Sequence, residues 1–142
     1  MNLELKVEKV EGFMGFGRKR PNDAAFDLYA RTPVIIHPGQ TLAVPCGIKT
    51  QFNPGWFLKI EGRSGLALKN GIQPRGGVID CTYRGEIAAI LHNSGQEEFA
   101  VSAGDRIAQL IPIRIDQTGF EFVDSVAENE ERGEKGFGSS GK

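Results

Sequence analysis

Cysteine and histidine are scarce in this chain of 142 residues, which contains two of each. Cys46 and Cys81 form neither a CxxC pair nor a disulfide framework, so both are expected to be reduced thiols. Because His37 and His92 are the remaining candidates for zinc ligands, a zinc site of the usual composition is not expected.

Long hydrophobic runs and a strong net charge are also missing. No stretch approaches the roughly 20 apolar residues of a membrane-spanning helix, so no membrane partner is expected. Residues 1–10 alternate charged with apolar side chains, which predicts no secretion signal and a cytoplasmic protein, in the host cytoplasm if the source is viral. The formal net charge of −1 argues against strong attraction to nucleic acid.

Glycine and short apolar runs are abundant instead. Nineteen glycines and seven prolines separate about ten short strands, and no long helical period is present. This pattern predicts an all-β, jelly-roll-like sandwich or barrel over residues 1–126, with one short helix, followed by a flexible C-terminal segment over residues 127–142. Strands are expected, among others, at residues 3–7, 24–30, 56–60, 107–115 and 120–126.

The segment from Gly76 to Glu86, GGVIDCTYRGE, concentrates unusual chemistry. Its glycines and β-branched pair predict a β-hairpin, with Arg84-Gly85 supplying a positive-φ position. Asp80 has two interpretations: a turn aspartate that bonds its own backbone, or a general base beside a pocket. Under the second interpretation Tyr83 is a wall for a flat ligand. This segment alone leaves both open.

Three further positions suggest either a site or a structural role. Arg63 and Ser64 precede good helix formers, so they could hold a phosphate at a helix start, or Ser64 could simply cap the helix. Gln109 interrupts a row of isoleucines and is either a functional amide or one satisfied by backbone. Asp27 lies within a predicted strand, where it needs a solvated face or a specific partner.

The last residues, ENEERGEKGFGSSGK, cannot pack a core. They are either a disordered terminus or a closing lid. In a lid, Arg132 and the serines would reach phosphate oxygens, and Phe137 would stack on a flat base.

Taken together, the motifs resemble those of the trimeric dUTPase family. Five of them occur in order: AAFDLYA (24–30), GRSGLA (62–67), GVIDCTYRGE (77–86), GDRIAQLI (104–111) and RGEKGFGSSG (132–141).

The resemblance implies a jelly-roll subunit in a homotrimer with shared active sites. It implies hydrolysis of dUTP to dUMP and pyrophosphate with Mg²⁺, which keeps uracil out of DNA and supplies dUMP for dTMP synthesis. By the same resemblance, Asp80 activates the water that attacks the α-phosphate, and Tyr83 packs under the deoxyribose. The uracil edge would be read by the backbone of Gly77, Val78, Ile79 and Ala88.

The remaining substrate contacts are also implied by the resemblance. Arg63, Ser64, Gly65 and Gln109 match phosphate-contacting positions. Asp27 matches a structural carboxylate that would reach the metal only through water, so no side chain is expected to bind the metal directly. In the tail, Arg132 would bind the γ end of the triphosphate and Phe137 would stack on uracil, and Gly138 and Ser139 complete the list of candidate contacts.

Two rival functions remain. A dCTP deaminase is a related trimer with an Arg-Ser phosphate motif, but it uses a glutamate in its base chemistry. Asp80 with Tyr83, and the Gly-Phe-Gly tail, favour the dUTPase. A non-enzymatic jelly-roll binding or regulatory protein would not need an intact Asp80, Arg63 and tail.

Overall fold

The computed structural model describes residues 1–128 and 130–138. The polypeptide forms one helix, α1 (Ser64–Asn70), among its described residues, and short strands make up the rest of the regular structure. The strands are β1 (Lys6–Lys9), β2 (Phe16–Gly17), β3 (Phe26–Tyr29), β4 (Val34–Ile36), β5 (Thr41–Pro45), β6 (Ile48–Gln51), β7 (Trp56–Glu61), β8 (Ile72–Pro74), β9 (Val78–Ile79), β10 (Ala88–Asn93), β11 (Phe99–Val101) and β12 (Arg106–Arg114).

The strands form an all-β, jelly-roll-like arrangement, as predicted. A five-stranded sheet has the order β2-β3-β12-β7-β9, and a three-stranded sheet has the order β5-β10-β8. Two-stranded ladders join β1 to β6 and β4 to β11. Every ladder is antiparallel, and most neighbours are distant in sequence. Such connections are typical of jelly rolls.

A single apolar core lies between the sheets. Alternation in β7 places Leu58 and Ile60 in the core, and alternation in β6 does the same for Ile48. Burial of each such side chain stabilises the fold by about 1.5–3 kcal/mol. Other fully buried members are Leu28, Ile36, Val44, Ile72, Ile87, Leu91 and Leu110.

Strand β12 is the spine of the larger sheet, because it pairs with both β3 and β7. A register shift between Arg106 and Ala108 lets Ile107 and Ala108 both be buried. Beyond this bulge the core face carries Leu110. Gln109, Ile111 and Ile113 of the predicted isoleucine row are therefore only half-buried and lie on the opposite face from Leu110. Ile115, after the end of β12, is 41% exposed.

Pro112 cannot donate to a ladder, so the sequence predicts a bulge or an edge at this point of β12. It is opposite Leu58 of β7, whereas β3 stops at the pair Phe26 and Leu110. At Pro112, β12 therefore pairs with β7 on one side and has no β3 partner on the other.

The predicted strand at residues 120–126 is wrong for the isolated chain. After Arg114 the described residues form no strand, and Phe120 and Phe122 are 84% and 93% exposed. Their rings contact each other at a centroid distance of 5.3 Å. The alternation is present, but no described strand pairs with this segment.

The first strand lies a few residues later than the predicted range 3–7. Its ladder with β6 begins at Lys6, and Leu3 and Leu5 pack against the core before the strand starts. In the described parts of the chain, no helix has the length and hydropathy needed to cross a membrane.

Candidate active site

A cavity of about 290 Å³ lies beside β9 and is called the β9 cavity. It brings together the residues of the folded domain expected to contact a base and a sugar, together with the candidate general base. Its lining residues are Ala43, Ile60, Gly77, Val78, Ile79, Asp80, Tyr83, Glu86, Ala88 and Ile90. Small and aliphatic groups dominate, so the cavity suits a flat, weakly polar ring.

Gly77 lines one side of the β9 cavity, and Gly76 directly precedes it. Gly76 and Gly77 have φ of 67° and 96°, in the left-handed region that favours glycine. A Cβ on Gly77 would lie 2.9 Å from the Cβ of Ile60, so this backbone approaches β7 closely. The Ile60 N–H donates to the Gly77 carbonyl oxygen at 2.8 Å, which fixes the approach.

The hairpin predicted for residues 76–86 is wrong in its pairing. β9 pairs with β7, whereas β10 pairs with β5 and β8 in another sheet. The reversal between β9 and β10 therefore crosses from one sheet to the other. The positive φ angles fall at Gly76 and Gly77, and Gly85 does not have one. The sequence pattern could not distinguish these arrangements, because both need extended segments flanking glycines.

Asp80 directly follows β9 and is exposed at the cavity. Its backbone carbonyl accepts a hydrogen bond from the Tyr83 N–H at 3.1 Å, closing a turn. Within residues 1–128 and 130–138 its carboxylate receives no hydrogen bond, so the interpretation as a self-bonded turn aspartate is not supported. An exposed carboxylate beside a cavity can accept a proton from water.

A second cavity, of about 440 Å³, lies beside the start of α1 and is called the α1 cavity. It contains all the predicted phosphate-contacting residues of the folded domain, with Asp27. Its lining residues are Asp27, Arg63, Ser64, Gly65, Leu66, Lys69, Asn70 and Gln109. Sequence reasoning missed Lys69, whose spacing of four from Gly65 on a helix was the available signal.

Ser64 is the first residue of α1, and Arg63 occupies the N-cap position without a side-chain capping bond. The interpretation of Ser64 as a helix cap is therefore wrong. Its hydroxyl is exposed at the α1 cavity, where the first N–H groups of the helix also lack intrahelical partners. Arg63 Nη1 donates to the Arg106 carbonyl oxygen at 3.1 Å, which ties the turn to β12.

Gln109 and Asp27 are opposite each other in the ladder between β12 and β3. The Gln109 Nε2 donates to the Gly62 carbonyl oxygen at 2.8 Å, so backbone satisfies the amide nitrogen and Gln109 fixes the turn before α1. The Asp27 carboxylate lies 3.8 Å from Arg106 Nη1, and its side chain is only 18% exposed. Asp27 thus has the specific partner that its place within a strand required.

The β9 and α1 cavities have no lining residue in common. A further cavity of about 450 Å³ shares Ile60 with the first and Arg63 and Ser64 with the second. One chain therefore places Asp80 and the phosphate-type residues in separate cavities.

The tail residues do not line either cavity. The Arg132 Nε donates to the Lys135 carbonyl oxygen at 2.7 Å, a local contact within the tail. Phe137 is fully exposed, with φ of 48°, and Gly138 follows with φ of 84°. Ser139, also a predicted substrate contact, lies outside the described residues. The predicted role of the tail stays a prediction.

Besides Asp80, the β9 cavity is lined by the charged residue Glu86, which pairs with Arg31. Arg31 donates to the Glu86 carboxylate through Nε at 2.8 Å and Nη2 at 3.1 Å, and the Gly47 N–H donates at 2.9 Å. The hydrogen bond from Arg31 is the main cause that lowers the pKa of Glu86, and Lys49 adds to it. Nearby, burial raises the pKa of the Cys46 thiol to about 12, so this thiol is unreactive at neutral pH.

The lowered pKa of Glu86 predicts a pH-dependent stability difference. Since the folded-state pKa lies below the ordinary value of 4.5, the ionised carboxylate stabilises the fold above that pH. This contribution is lost as the pH falls through the folded-state pKa. Wild type should therefore melt at a higher temperature than Glu86→Gln at pH 7, and the difference should shrink below pH 4.5. Melting curves across the acid range measure it, and a constant difference would contradict the assignment.

The candidate metal ligands are sparse. In the described ranges, 1–128 and 130–138, His, Cys, Asp and Glu form no group of three or more that could hold an ion. Any divalent cation would therefore take much of its coordination from a ligand's oxygens and from water, an arrangement that Mg²⁺ prefers.

The fold is a jelly roll with one cavity lined mostly by small and aliphatic residues and another lined by polar and basic residues. Comparison with known proteins gives the family. The dUTPase family model matches residues 14–141, and a deoxyuridine 5'-triphosphate nucleotidohydrolase from Anaplasma marginale is 38% identical over 146 residues, covering 96% of this chain and 99% of that protein. The chain belongs to the dUTPase family.

Solved structures support the same fold. A mutant dUTPase of Staphylococcus bacteriophage 80alpha, solved with dUpNHpp, superposes with a TM-score of 0.90 at 22% identity, covering 98% of this chain and 99% of that chain. A mutant dUTPase from phage phi11 of S. aureus, described with a structural Mg(II) ion, has a TM-score of 0.80 at 18% identity. The match covers 86% of this chain and 97% of that chain.

Proposed function

We propose that this protein hydrolyses dUTP to dUMP and pyrophosphate in the cytoplasm, keeping uracil out of DNA and supplying dUMP for dTMP synthesis. The observation that carries the proposal is the β9 cavity, in which the Asp80 carboxylate and the Tyr83 ring share one space with Gly77, Val78 and Ile79. Membership of the dUTPase family supports the same substrate.

Asp80 is the general base in this proposal. Its carboxylate has no competing hydrogen bond among the described residues, so it can orient a water and accept its proton. The water attacks the α-phosphorus, a new P–O bond forms, and the bond to the bridging oxygen breaks, with pyrophosphate leaving in line. Tyr83 forms the wall on which the deoxyribose rests.

Uracil is held in the β9 cavity by backbone groups. Gly77, Val78, Ile79 and Ala88 line this cavity, and their backbone N–H and C=O groups would match the alternating acceptors and donor of a uracil edge. Cytosine presents a different pattern of donors and acceptors and would leave buried polar groups unpaired. The site would therefore prefer uracil over cytosine by about 10⁴-fold or more.

The triphosphate is held by the residues of the α1 cavity. Arg63 offers a guanidinium fork, while Ser64 and Gly65 offer a hydroxyl and helix-start N–H groups. Gln109 holds the turn that carries them through its bond to Gly62. Mg²⁺ fits this set, with the Asp27 carboxylate as the residue that would hold it through water; the ion neutralises phosphate charge when bound.

The separation of the two cavities in one chain supports a homotrimer with shared active sites. In this arrangement the β9 cavity of one chain meets the α1 cavity of its neighbour. Exposed apolar side chains after β12 would pack on a neighbouring chain, since this chain gives them no partner surface; they are Phe120, Phe122, Val123 and Val126.

Mixing two inactive variants tests the shared site. Asp80→Asn and Arg63→Ala damage different cavities, so co-refolded mixed trimers should contain some sites with both cavities intact and recover part of the activity. Sedimentation measures the trimer. Recovery no greater than the sum of the separate variants would contradict the sharing.

We also propose that residues 127–142 close over the bound nucleotide. Arg132 would contact the γ-phosphate and Phe137 would stack on uracil, with Gly138 and Ser139 adding backbone and hydroxyl contacts. The full exposure of Phe137 supports this role, because an aromatic side chain with no contact in the domain is available to a ligand.

Product analysis with dUTP, dCTP and dTTP in Mg²⁺, with chelator as control, tests the activity. dUMP and pyrophosphate from dUTP alone are expected. Ammonia from dCTP would indicate a deaminase instead. Binding without turnover of any of the three would indicate a non-enzymatic jelly-roll protein.

A further inference from the structure

The Tyr83 ring is seated directly on Gly85. A Cβ built on Gly85 would lie 2.6 Å from Cζ and 3.0 Å from Cε1 of the Tyr83 ring, so no side chain fits there. The Tyr83 hydroxyl donates to the Glu86 carbonyl oxygen at 3.1 Å, and the Tyr83 N–H donates to the Asp80 carbonyl oxygen. Tyr83 is thus held by its hydroxyl and by its backbone N–H, while 43% of the residue remains exposed at the β9 cavity.

The carbonyl that receives the Tyr83 hydroxyl belongs to a residue that is itself fixed. The Glu86 carboxylate accepts both Nε and Nη2 of Arg31 and the N–H of Gly47. Gly47 is buried with φ of 73°, a conformation that favours glycine and points its N–H at the carboxylate. The next residue, Ile87, exchanges backbone hydrogen bonds with Cys46 and Ile48 on either side of Gly47.

Arg31 is well suited to act as an anchor. Its backbone N–H donates to the Pro45 carbonyl oxygen at 2.8 Å. Its side-chain stem lies close to Gly12 and Gly47, where an added Cβ would be 3.2 Å from Cγ and 3.5 Å from Cδ respectively. A bidentate pair between two partly buried side chains, 27% and 23% exposed, holds its geometry better than an exposed pair.

We infer that the Arg31–Glu86 pair is a positioning device that sets the Tyr83 ring against the sugar side of the β9 cavity and thereby selects a 2′-deoxyribose over a ribose. The inference rests on the proposed function. Neither Arg31 nor Glu86 touches the reacting atoms; both act through the Glu86 carbonyl and the Tyr83 hydroxyl. A ring held in one place leaves no room for a 2′-hydroxyl, whereas a ring released from Glu86 can move aside.

The test is to measure kcat and KM for dUTP and for UTP in Glu86→Gln and Arg31→Met, with Arg31→Lys as the conservative variant. Glu86→Gln keeps the shape and removes the charge, and Arg31→Met keeps the stem. We expect KM for dUTP to rise about tenfold, kcat to change less, and the preference for dUTP over UTP to fall about tenfold. Arg31→Lys should recover part of the preference.

Glu98→Gln is the matched control, because Glu98 pairs with His37 at 3.5 Å in an exposed position that does not line the β9 cavity. It should leave the preference unchanged. If Glu86→Gln does not fold, Tyr83→Phe removes only the hydroxyl bond and should lower the preference likewise. Folded variants with an unchanged preference, or a fall in kcat alone, would overturn the inference. Wild type that does not hydrolyse dUTP would overturn the proposed function itself.

Discussion

Replacement of Asp80 by asparagine is expected to lower kcat for dUTP hydrolysis by about 10³-fold or more while leaving dUTP binding close to wild type. The amide has nearly the same shape, so the β9 cavity keeps its form, but it cannot accept the proton of the attacking water. Single-turnover kinetics measure the chemical step, and calorimetric titration in Mg²⁺ measures binding.

Asp23→Asn provides the control for this substitution. Asp23 is a turn aspartate that accepts the Arg20 N–H at 3.0 Å and lines neither cavity, so its replacement should not affect turnover. Turnover near the wild-type rate in Asp80→Asn would remove Asp80 from the role of general base. A parallel loss of binding would show instead that the carboxylate holds the substrate.

A chain ending at Glu131 is expected to assemble as the full chain does but to hydrolyse dUTP about 10²-fold or more slowly. The truncation leaves every described strand and α1 in place, because the last strand in residues 1–128 and 130–138 ends at Arg114. What is lost is the segment proposed to exclude water and to contact both ends of the nucleotide, including Arg132 and Phe137.

Point variants separate the two functions of the tail. Arg132→Ala should mainly raise KM, through the lost γ-phosphate contact, and Phe137→Ala should weaken the hold on uracil. Glu128→Ala, a change in an exposed side chain before the lid contacts, is the control. Full activity in the truncated chain would show that the tail is not a lid.

Period-two patterns predict the strands of this protein well where a partner strand is present. β3 and β7 lie where the patterns at residues 24–30 and 56–60 place them, and the missing N–H of Pro112 fits its position opposite β7 alone. The prediction at residues 120–126 fails, because no described strand pairs with this segment. Alternation shows that a segment suits a sheet, and it does not show that a free sheet edge is available.

The sequence indicates which residues belong to the candidate site better than it indicates how these residues are arranged in space. Motifs identify Asp80, Tyr83 and Gln109, and the structure places them at cavities. They do not reveal that the residues fall into two cavities, because separation depends on sheet order. Nor do they identify the bond between Arg31 and Glu86, whose partners are distant in sequence and share no pattern.

Hydrolysis of dUTP in water enriched in heavy oxygen tests the central claim most directly. Mass spectrometry of the products would follow the label after a single turnover in Mg²⁺. If a water activated by Asp80 attacks the α-phosphorus, heavy oxygen will appear in dUMP and the pyrophosphate will be unlabelled. Label in the pyrophosphate, or no dUMP at all, would contradict the account.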